Sequence, residues 1–307
     1  MKRVFIDGSA GTTGLRIRER LEGRKDLELI RLTEENRKDP EARREALNTA
    51  DIAFLCLPDA AAREAVALLE DPDTVLIDTS TAHRTAEGWA YGFPELKSLR
   101  EQIATSGRIA NPGCHATGFI ALIAPLTRAG LLKANTPLSC FSLTGYSGGG
   151  KKMIAEYEAA ERSPLLDAPR QYGLTQSHKH LPEMIRYGGV SAAPVFCPIV
   201  APYYAGMEVT VPLTAEQINC TPAQLADCYR EYYRGEKLIH VGAAEEGGFL
   251  SAGAFAGRDD LEISVHGNEE RILLVSRFDN LGKGASGAAI QNMNLALGLE
   301  EDTGLVR

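Results

Sequence analysis

Short, unbroken apolar runs punctuate the first third of the chain. Residues 4–7, 52–57 and 75–77 each carry such a run, as in Ile52-Ala53-Phe54-Leu55, and read as strands, as does the more mixed 27–32. Between them, residues 12–22, 40–48 and 60–69 place apolar side chains at helical spacing among charged ones. Strands alternating with helices across short connections predict a parallel, doubly wound sheet. Beyond residue 114 the texture changes. Longer β-rich runs at 138–143, 195–200, 207–211, 261–265 and 272–278, with helices near 151–161 and 222–233, predict a second domain of α+β type. In the tail, residues 284–297 set Ala, Gln, Met and Leu at helical spacing, which predicts a last helix returning to the first domain. The boundary falls near residues 108–112.

At 307 residues the chain is long for one ordinary core, which favours two domains. Its net charge of -8 argues against nucleic acid or an anionic membrane as the main partner. The opening Met1-Lys2-Arg3 has an apolar run too short for a signal peptide behind it, and no later stretch is long enough to span a membrane. The six cysteines are scattered without a CxxC pair, which fits reduced thiols and a cytoplasmic setting.

One cysteine stands apart. Asn111-Pro112-Gly113-Cys114 sets a tight turn ahead of the apolar run Phe119-Ile120-Ala121-Leu122-Ile123, so Cys114 opens a buried helix among backbone N–H groups lacking helical partners. A helix N-terminus favours a thiolate, and the same N–H groups can hold the oxyanion formed when that thiolate attacks a carbonyl. The first strand is followed by Gly8-Ser9-Ala10-Gly11-Thr12-Thr13-Gly14, a GxxGxxG turn opening a helix where a dinucleotide pyrophosphate rests on backbone N–H groups. Glu34 and Glu35 lie near the usual ribose-binding position, yet Arg31, Arg37 and Lys38 surround it and could neutralise a 2'-phosphate, so NADP(H) is favoured over NAD.

Gly145-Tyr146-Ser147-Gly148-Gly149-Gly150-Lys151-Lys152 imitates a nucleotide-triphosphate loop but ends in Lys where magnesium binding needs Ser or Thr. Its glycines and lysines still suit a substrate phosphate or carboxylate. His178-Lys179-His180-Leu181-Pro182-Glu183 supplies two histidines as candidate proton carriers beside a thiol, and lacks the neighbouring ligands that a zinc shell would need. Arg84 follows the fourth strand, where loops at the carboxyl ends of parallel strands hold ligands, and could fork onto an anion.

Together, the stretches GSAGTTG, DTSTAHRT, YGFPEL, ANPGCHATG, GYSGGGK, SHKHLPE and DNLGKGASGAAIQNMN, spread from Gly8 to Asn294, resemble the shorter type of N-acetyl-gamma-glutamyl-phosphate reductase. The resemblance implies a Rossmann-type NADP-binding domain of residues 1–112, completed by a helix at 284–298, and an α+β catalytic and dimerisation domain of residues 113–283. It implies NADPH-dependent reduction of an N-acetylglutamyl phosphate through a Cys114 thioester, with His180 relaying protons and His178 orienting substrate, the reverse assignment staying open. Arg84, Ser147, Gly148, Gly149, Lys151 and Glu183 would bind substrate, and Asn280 and Gly284 would lie near the nicotinamide. Family members are homodimers or homotetramers. One departure is His115, where an aromatic residue is most familiar; it too could exchange protons with Cys114. Aspartate-semialdehyde dehydrogenase is the alternative within this chemistry, and a catalytically idle dinucleotide sensor is the alternative outside it.

Overall fold

A computed structural model describes residues 1–242 and 247–307. The chain divides into two compact units, residues 1–113 with 285–305, and residues 114–284 with 306–307.

The first unit is built on a parallel sheet of β1 (Lys2–Asp7), β2 (Leu27–Ile30), β3 (Ile52–Leu55), β4 (Val75–Asp78), β5 (Ala90–Tyr91) and β6 (Arg108–Ala110), in the order β2-β1-β3-β4-β6-β5. Its connections include α1 (Thr12–Leu21), α2 (Pro40–Thr49), α3 (Asp59–Ala67) and α4 (Leu99–Thr105). Every strand pair is parallel. All four residues of β3 are buried, which is why that strand reads as an unbroken apolar run rather than an alternation. On one face Ala46, Leu47, Ala50 and Ala65 pack against Phe5, Ala53, Leu55 and Leu76. After β1 the chain goes first to β2 on one side and then to β3 on the other, so the strand order reverses between β1 and β3. Ligands of such sheets bind at that switch point, beyond the carboxyl ends of the strands. The pieces that the sequence pattern does not announce here are β5, α4 and β6, each of seven residues or fewer and too short to establish a period.

The second unit carries a seven-stranded mixed sheet in the order β11-β12-β13-β10-β7-β9-β8. Its strands are β7 (Ser139–Gly145), β8 (Arg170–Gln171), β9 (Val195–Ala201), β10 (Met207–Thr214), β11 (Ile239–Val241), β12 (Leu261–Gly267) and β13 (Arg271–Phe278). Its helices are α5 (Cys114–Arg128), α6 (Gly150–Glu158), α7 (Leu181–Gly188) and α8 (Pro222–Tyr232). In β10, buried and partly exposed residues alternate, the mark of a sheet covered on one face. The covering element is α5, buried from His115 to Leu126 and packed on β10 and β13. Gly118 makes this close approach possible: a Cβ there would lie 2.4 Å from Val209 Cγ2 and 2.8 Å from Ser276 Oγ.

Pro125 lies inside α5 and has no N–H for the carbonyl of Ala121, four residues back. The Tyr233 hydroxyl donates to that oxygen at 2.8 Å, and Tyr229 donates to the neighbouring Leu122 carbonyl at 2.6 Å. The α8 segment thus repairs the interruption, while α8 itself starts in a capping box of Thr221 and Gln224 with Pro222 in its first turn.

The chain then returns through a π-helical turn, Gly282–Ser286, to α9 (Gly287–Ala296), which belongs to the first unit. Three polar side chains of α9 are fully buried and hydrogen-bonded: Gln291 donates to Glu95 and Glu301, Asn292 to Gly92 O and Asn111 Oδ1, and Asn294 to the carbonyls of Glu301 and Thr303. No helix among the described residues is long and apolar enough to cross a membrane.

Candidate active site

The glycine turn lies at the switch point of the first unit. Gly8 adopts φ of 85°, and a Cβ on it would lie 2.2 Å from the carbonyl oxygen of Cys56, just past β3. Gly14 could not carry a side chain either, since its Cβ would come within 2.5 Å of Gly8 O. These two positions hold the turn tight against both strands. Helix α1 begins after Gly11 with no side-chain cap, so its first N–H groups face outward as an anion cradle flanked by Ser9, Ala10, Thr12 and Thr13.

Beside this turn opens a cavity of about 360 Å³, lined by Asp7 to Ala10, by Ile30 to Leu32, and by Arg18, Glu34, Arg37, Lys38 and Arg43. The cations have different duties. Arg43 is locked onto the buried Asp7 carboxylate by contacts of 3.0 and 2.8 Å. Arg31 pairs with Glu22 at 3.3 Å and Arg37 with Glu34 at 2.6 Å, both well exposed. Lys38 has no ionic partner among the described residues. An uncapped helix start next to a cavity with an uncommitted cation fits a dinucleotide with its adenosine end toward residues 30–38.

The loop after β4 is rigid. The buried Asp78 carboxylate bonds His83 Nδ1 at 2.6 Å and accepts from the Ser80 backbone and hydroxyl at 2.9 and 2.7 Å. His83 stacks on Trp89 at 4.1 Å. Arg84, expected to hold substrate, is buried; its Nε donates to Asn111 O at 3.0 Å and a terminal nitrogen to Thr79 O at 3.1 Å. The Asn111 side chain in turn donates to Ala285 O and accepts from Asn292. Arg84 and Asn111 therefore fix the backbone just ahead of Cys114.

Cys114 is the first residue of α5 and is half-buried. Gly284 backs it: a Cβ at Gly284 would lie 2.9 Å from Cys114 Cβ and 3.3 Å from the Phe278 ring. The turn carrying Gly284 is held by Asp279, whose carboxylate accepts from the N–H groups of Leu281, Gly282 and Gly257 at 2.6, 3.1 and 2.5 Å, and whose carbonyl accepts from Gly284. Two other cysteines are unsuited to attack, because burial pushes Cys56 up to about 12 and Cys140 well above the ordinary thiol range.

The histidines converge. The ring centres of His178 and His180 lie 4.7 Å apart, each 5.5 Å from that of His115, with Phe196 against His115 and His178 at 5.3 and 5.1 Å. His178 Nδ1 accepts from the His180 backbone N–H at 3.2 Å, which leaves its Nε2 as the proton-bearing nitrogen of the neutral ring. His180 is buried at the N-terminal edge of α7, and Glu183 is buried in that helix's first turn. His115 bonds Ser142 Oγ at 2.7 Å and the Tyr172 hydroxyl at 2.6 Å. Burial, then the nearby His178 and Lys179, push its pKa down to about 3, so it is a neutral imidazole at working pH.

In the loop after β7, Ser147 is buried and its Oγ accepts from Asn280 Nδ2 at 3.0 Å, while Asn280 Oδ1 accepts from Gly206 N at 2.9 Å. Gly148, Gly149 and Lys151 are exposed or nearly so. Ser147, expected with substrate, and Asn280, expected with cofactor, are thus partners in one network. Sequence reasoning did not reach Tyr172, Ser142 or Asp279; they lie 58, 28 and 165 positions from Cys114, and no spacing rule connects them.

A glycine turn at the switch point of a parallel sheet, and a half-buried cysteine that opens a helix ahead of a histidine on which two others converge, suit an oxidoreductase of the semialdehyde dehydrogenase class. Residues 3–106 match the semialdehyde dehydrogenase NAD binding domain family, and residues 114–280 match its dimerisation domain family. The fold resembles aspartate semialdehyde dehydrogenase II of Vibrio cholerae, with a TM-score of 0.71 over 97% of this chain and 98% of that one at 16% identity. The aspartate semialdehyde dehydrogenase of Francisella tularensis gives 0.69 at 13% identity, covering 96% of this chain and 99% of that one. Within the class, the chain belongs to the N-acetyl-gamma-glutamyl-phosphate reductase family. It is 47% identical to N-acetyl-gamma-glutamyl-phosphate reductase 2 of Pseudomonas putida over 96% of both chains, and 43% identical to the Nostoc protein of that name over 99% of both. A Brucella ovis reductase is 47% identical over 96% of this chain and 99% of its own.

Proposed function

We propose that the chain reduces N-acetyl-L-glutamyl 5-phosphate to N-acetyl-L-glutamate 5-semialdehyde, releasing phosphate, with NADPH as reductant. The observation that carries this reading is a half-buried Cys114 opening a helix, backed by Gly284 and followed directly by His115, on whose ring His178 and His180 converge, in a chain 43–47% identical to reductases named for this substrate.

The Cys114 thiolate attacks the acyl carbon, the bond to the phosphate oxygen breaks, and phosphate leaves from a thioester. Backbone N–H groups at the start of α5 stabilise the oxyanion of that step. A bound nicotinamide supplies the hydride that reduces the thioester. His180 takes the proton of Cys114 before attack and gives it to the alkoxide left by hydride transfer; it then takes that hydroxyl proton back as the C–S bond breaks, freeing the aldehyde and the Cys114 thiolate. His178, with its tautomer set by the His180 N–H, presents an Nε2–H donor to the substrate. Ser147, Gly148, Gly149, Lys151 and Glu183 shape the binding of the anionic substrate, and the exposed Lys151 offers it a positive charge. Residues 8–14 hold the pyrophosphate, and Lys38, supported by Arg31 and Arg37, receives the 2'-phosphate, which is the basis for NADPH over NADH.

The second unit's sheet forms a homodimer or homotetramer interface. Strand register puts Phe141, Val195 and Leu273 on one face, away from α5, with 42%, 59% and 43% of their surface exposed.

Incubating the protein with N-acetylglutamate semialdehyde and phosphate, and following reduction of NADP and NAD separately by nicotinamide absorbance, tests the whole reading. Phosphate-dependent turnover with a preference for NADP supports it. Turnover on aspartate semialdehyde instead rejects the substrate, and equal use of both cofactors rejects the role of Lys38.

A further inference from the structure

Residues 279–284 lead from β13 into the turn that backs Cys114, and two glycines of this segment each accept a neighbour too close for a side chain. A Cβ at Gly284 would lie 2.9 Å from Cys114 Cβ, and a Cβ at Gly282 would lie 1.9 Å from Arg258 O and 3.1 Å from Asp259 Oδ1. Neither glycine has a positive φ, so the backbone itself would admit an L side chain at both positions. What excludes one is the neighbour. The turn therefore touches residues 258–259 through Gly282 and Cys114 through Gly284.

Asp279 ties these two contacts together. One carboxylate oxygen accepts from the N–H groups of Leu281 and Gly282 at 2.6 and 3.1 Å, the local pattern of an Asx turn, and the other accepts from Gly257 at 2.5 Å. Its carbonyl accepts from the Gly284 N–H at 3.0 Å. A single buried side chain thus fastens both the turn and the segment on which the turn rests. That segment is anchored in its own right, since the Asp259 N–H donates to Val306 O at 2.7 Å and the Val306 N–H to the Asp259 carboxylate at 2.9 Å. We propose that Asp279 is a positioning residue for the nucleophile: by clamping the 281–284 turn to residues 257–259, it holds Gly284 against Cys114 and fixes where Cys114 stands. Asp279 acts on the reaction through Gly284. Precision of this kind matters because a misplacement of about 1 Å can cost about 10²-fold in rate.

This role rests on Cys114 as nucleophile, so its first test does not use turnover. Iodoacetamide alkylation of the intact enzyme is read at each cysteine by peptide mass spectrometry. Asp279→Ala frees the turn and uncovers the half-buried Cys114, which should be alkylated several-fold faster. Asp279→Asn has one acceptor oxygen, keeps only one of the two links, and should show a smaller increase. Gly284→Ala sets a methyl against Cys114 and should slow the same reaction several-fold. Cys140, fully buried in β7, is the control: general loosening would speed its alkylation too, whereas loss of the clamp leaves it unchanged. In turnover, Asp279→Ala should lower kcat by about tenfold with KM changed by less than about twofold, and Asp279→Asn should lie between it and the parent. Cys114 alkylation that is unchanged in both Asp279 variants, or that rises only in step with Cys140, overturns the proposal, as does a kcat within about twofold of the parent in Asp279→Ala. Full turnover of a Cys114→Ser enzyme would instead overturn the nucleophile, and the two failures are therefore distinct.

Discussion

The two halves of the chemistry are built in opposite ways. The proposed dinucleotide cradle is seven consecutive residues, 8–14, which would bind through their backbone and whose Gly8 and Gly14 let the turn approach β3 and fold tightly on itself. The nucleophile's surroundings are side chains from α5, β7, the β8 segment and the α7 approach, brought together from positions 114, 115, 142, 172, 178 and 180. A backbone site tolerates side-chain change but not Cβ atoms, whereas a side-chain site tolerates neither loss of a partner nor movement of the element bearing it.

That contrast is broken most sharply by one substitution in each half. Cys114→Ser should abolish turnover while NADPH binding, measured by fluorescence, is unchanged. Gly14→Val should do the reverse, removing NADPH binding through its collision with Gly8 O while Cys114 is still alkylated. Loss of both properties in either variant would mean that the halves are not separable in this way. Next in size, His180→Asn should lower kcat by about 10²-fold, the usual reach of general acid-base help, with little change in cofactor affinity. If only His178→Asn shows that loss, the proton carrier is the other imidazole.

Smaller is the effect expected of Lys38→Ala: about tenfold weaker NADP binding, the scale of one charge-assisted contact, with NAD unaffected. Equal loss for both cofactors would assign Lys38 to the shared part of the dinucleotide. The smallest effect probes the frame of α5. Tyr233→Phe leaves Ala121 O without the donor that replaces the missing Pro125 N–H, and should cost about 1 kcal/mol in chemical denaturation with unchanged kcat. A larger loss of activity than of stability would show that α5 moves its first residue when its middle is loosened.

Acid should act on the second half in a definite direction. His115 has its folded pKa near 3 against 6.5 in the unfolded chain, so the unfolded state binds the extra proton between those values. The stability that this neutral ring contributes is fully present above about pH 6.5 and is lost as pH falls toward 3. His115→Gln should flatten unfolding free energy against pH over that interval.

Read from sequence alone, unbroken apolar runs such as Ile52-Ala53-Phe54-Leu55 gave away the parallel sheet, because strands buried on both faces have no polar positions to alternate. The glycine turn and the helix start at Cys114 were equally plain, since both follow from local backbone: a positive φ at Gly8 and a tight Pro-Gly turn ahead of an apolar helix. The partners were not. Arg84 looked like an anion ligand by its place after β4, and its hydrogen bonds to Thr79 and Asn111 depend on a fold-wide arrangement.

Local periodicity and turn chemistry therefore placed the longer elements and singled out Cys114 and the glycine turn as candidate sites, because these follow from interactions within a few positions. Only the tertiary structure decided that Tyr172 meets His115, that Gly284 leaves room for Cys114 and that Ser147 is bonded to Asn280. Those contacts join residues 57, 170 and 133 positions apart, and packing, not sequence spacing, brings such atoms within bonding distance.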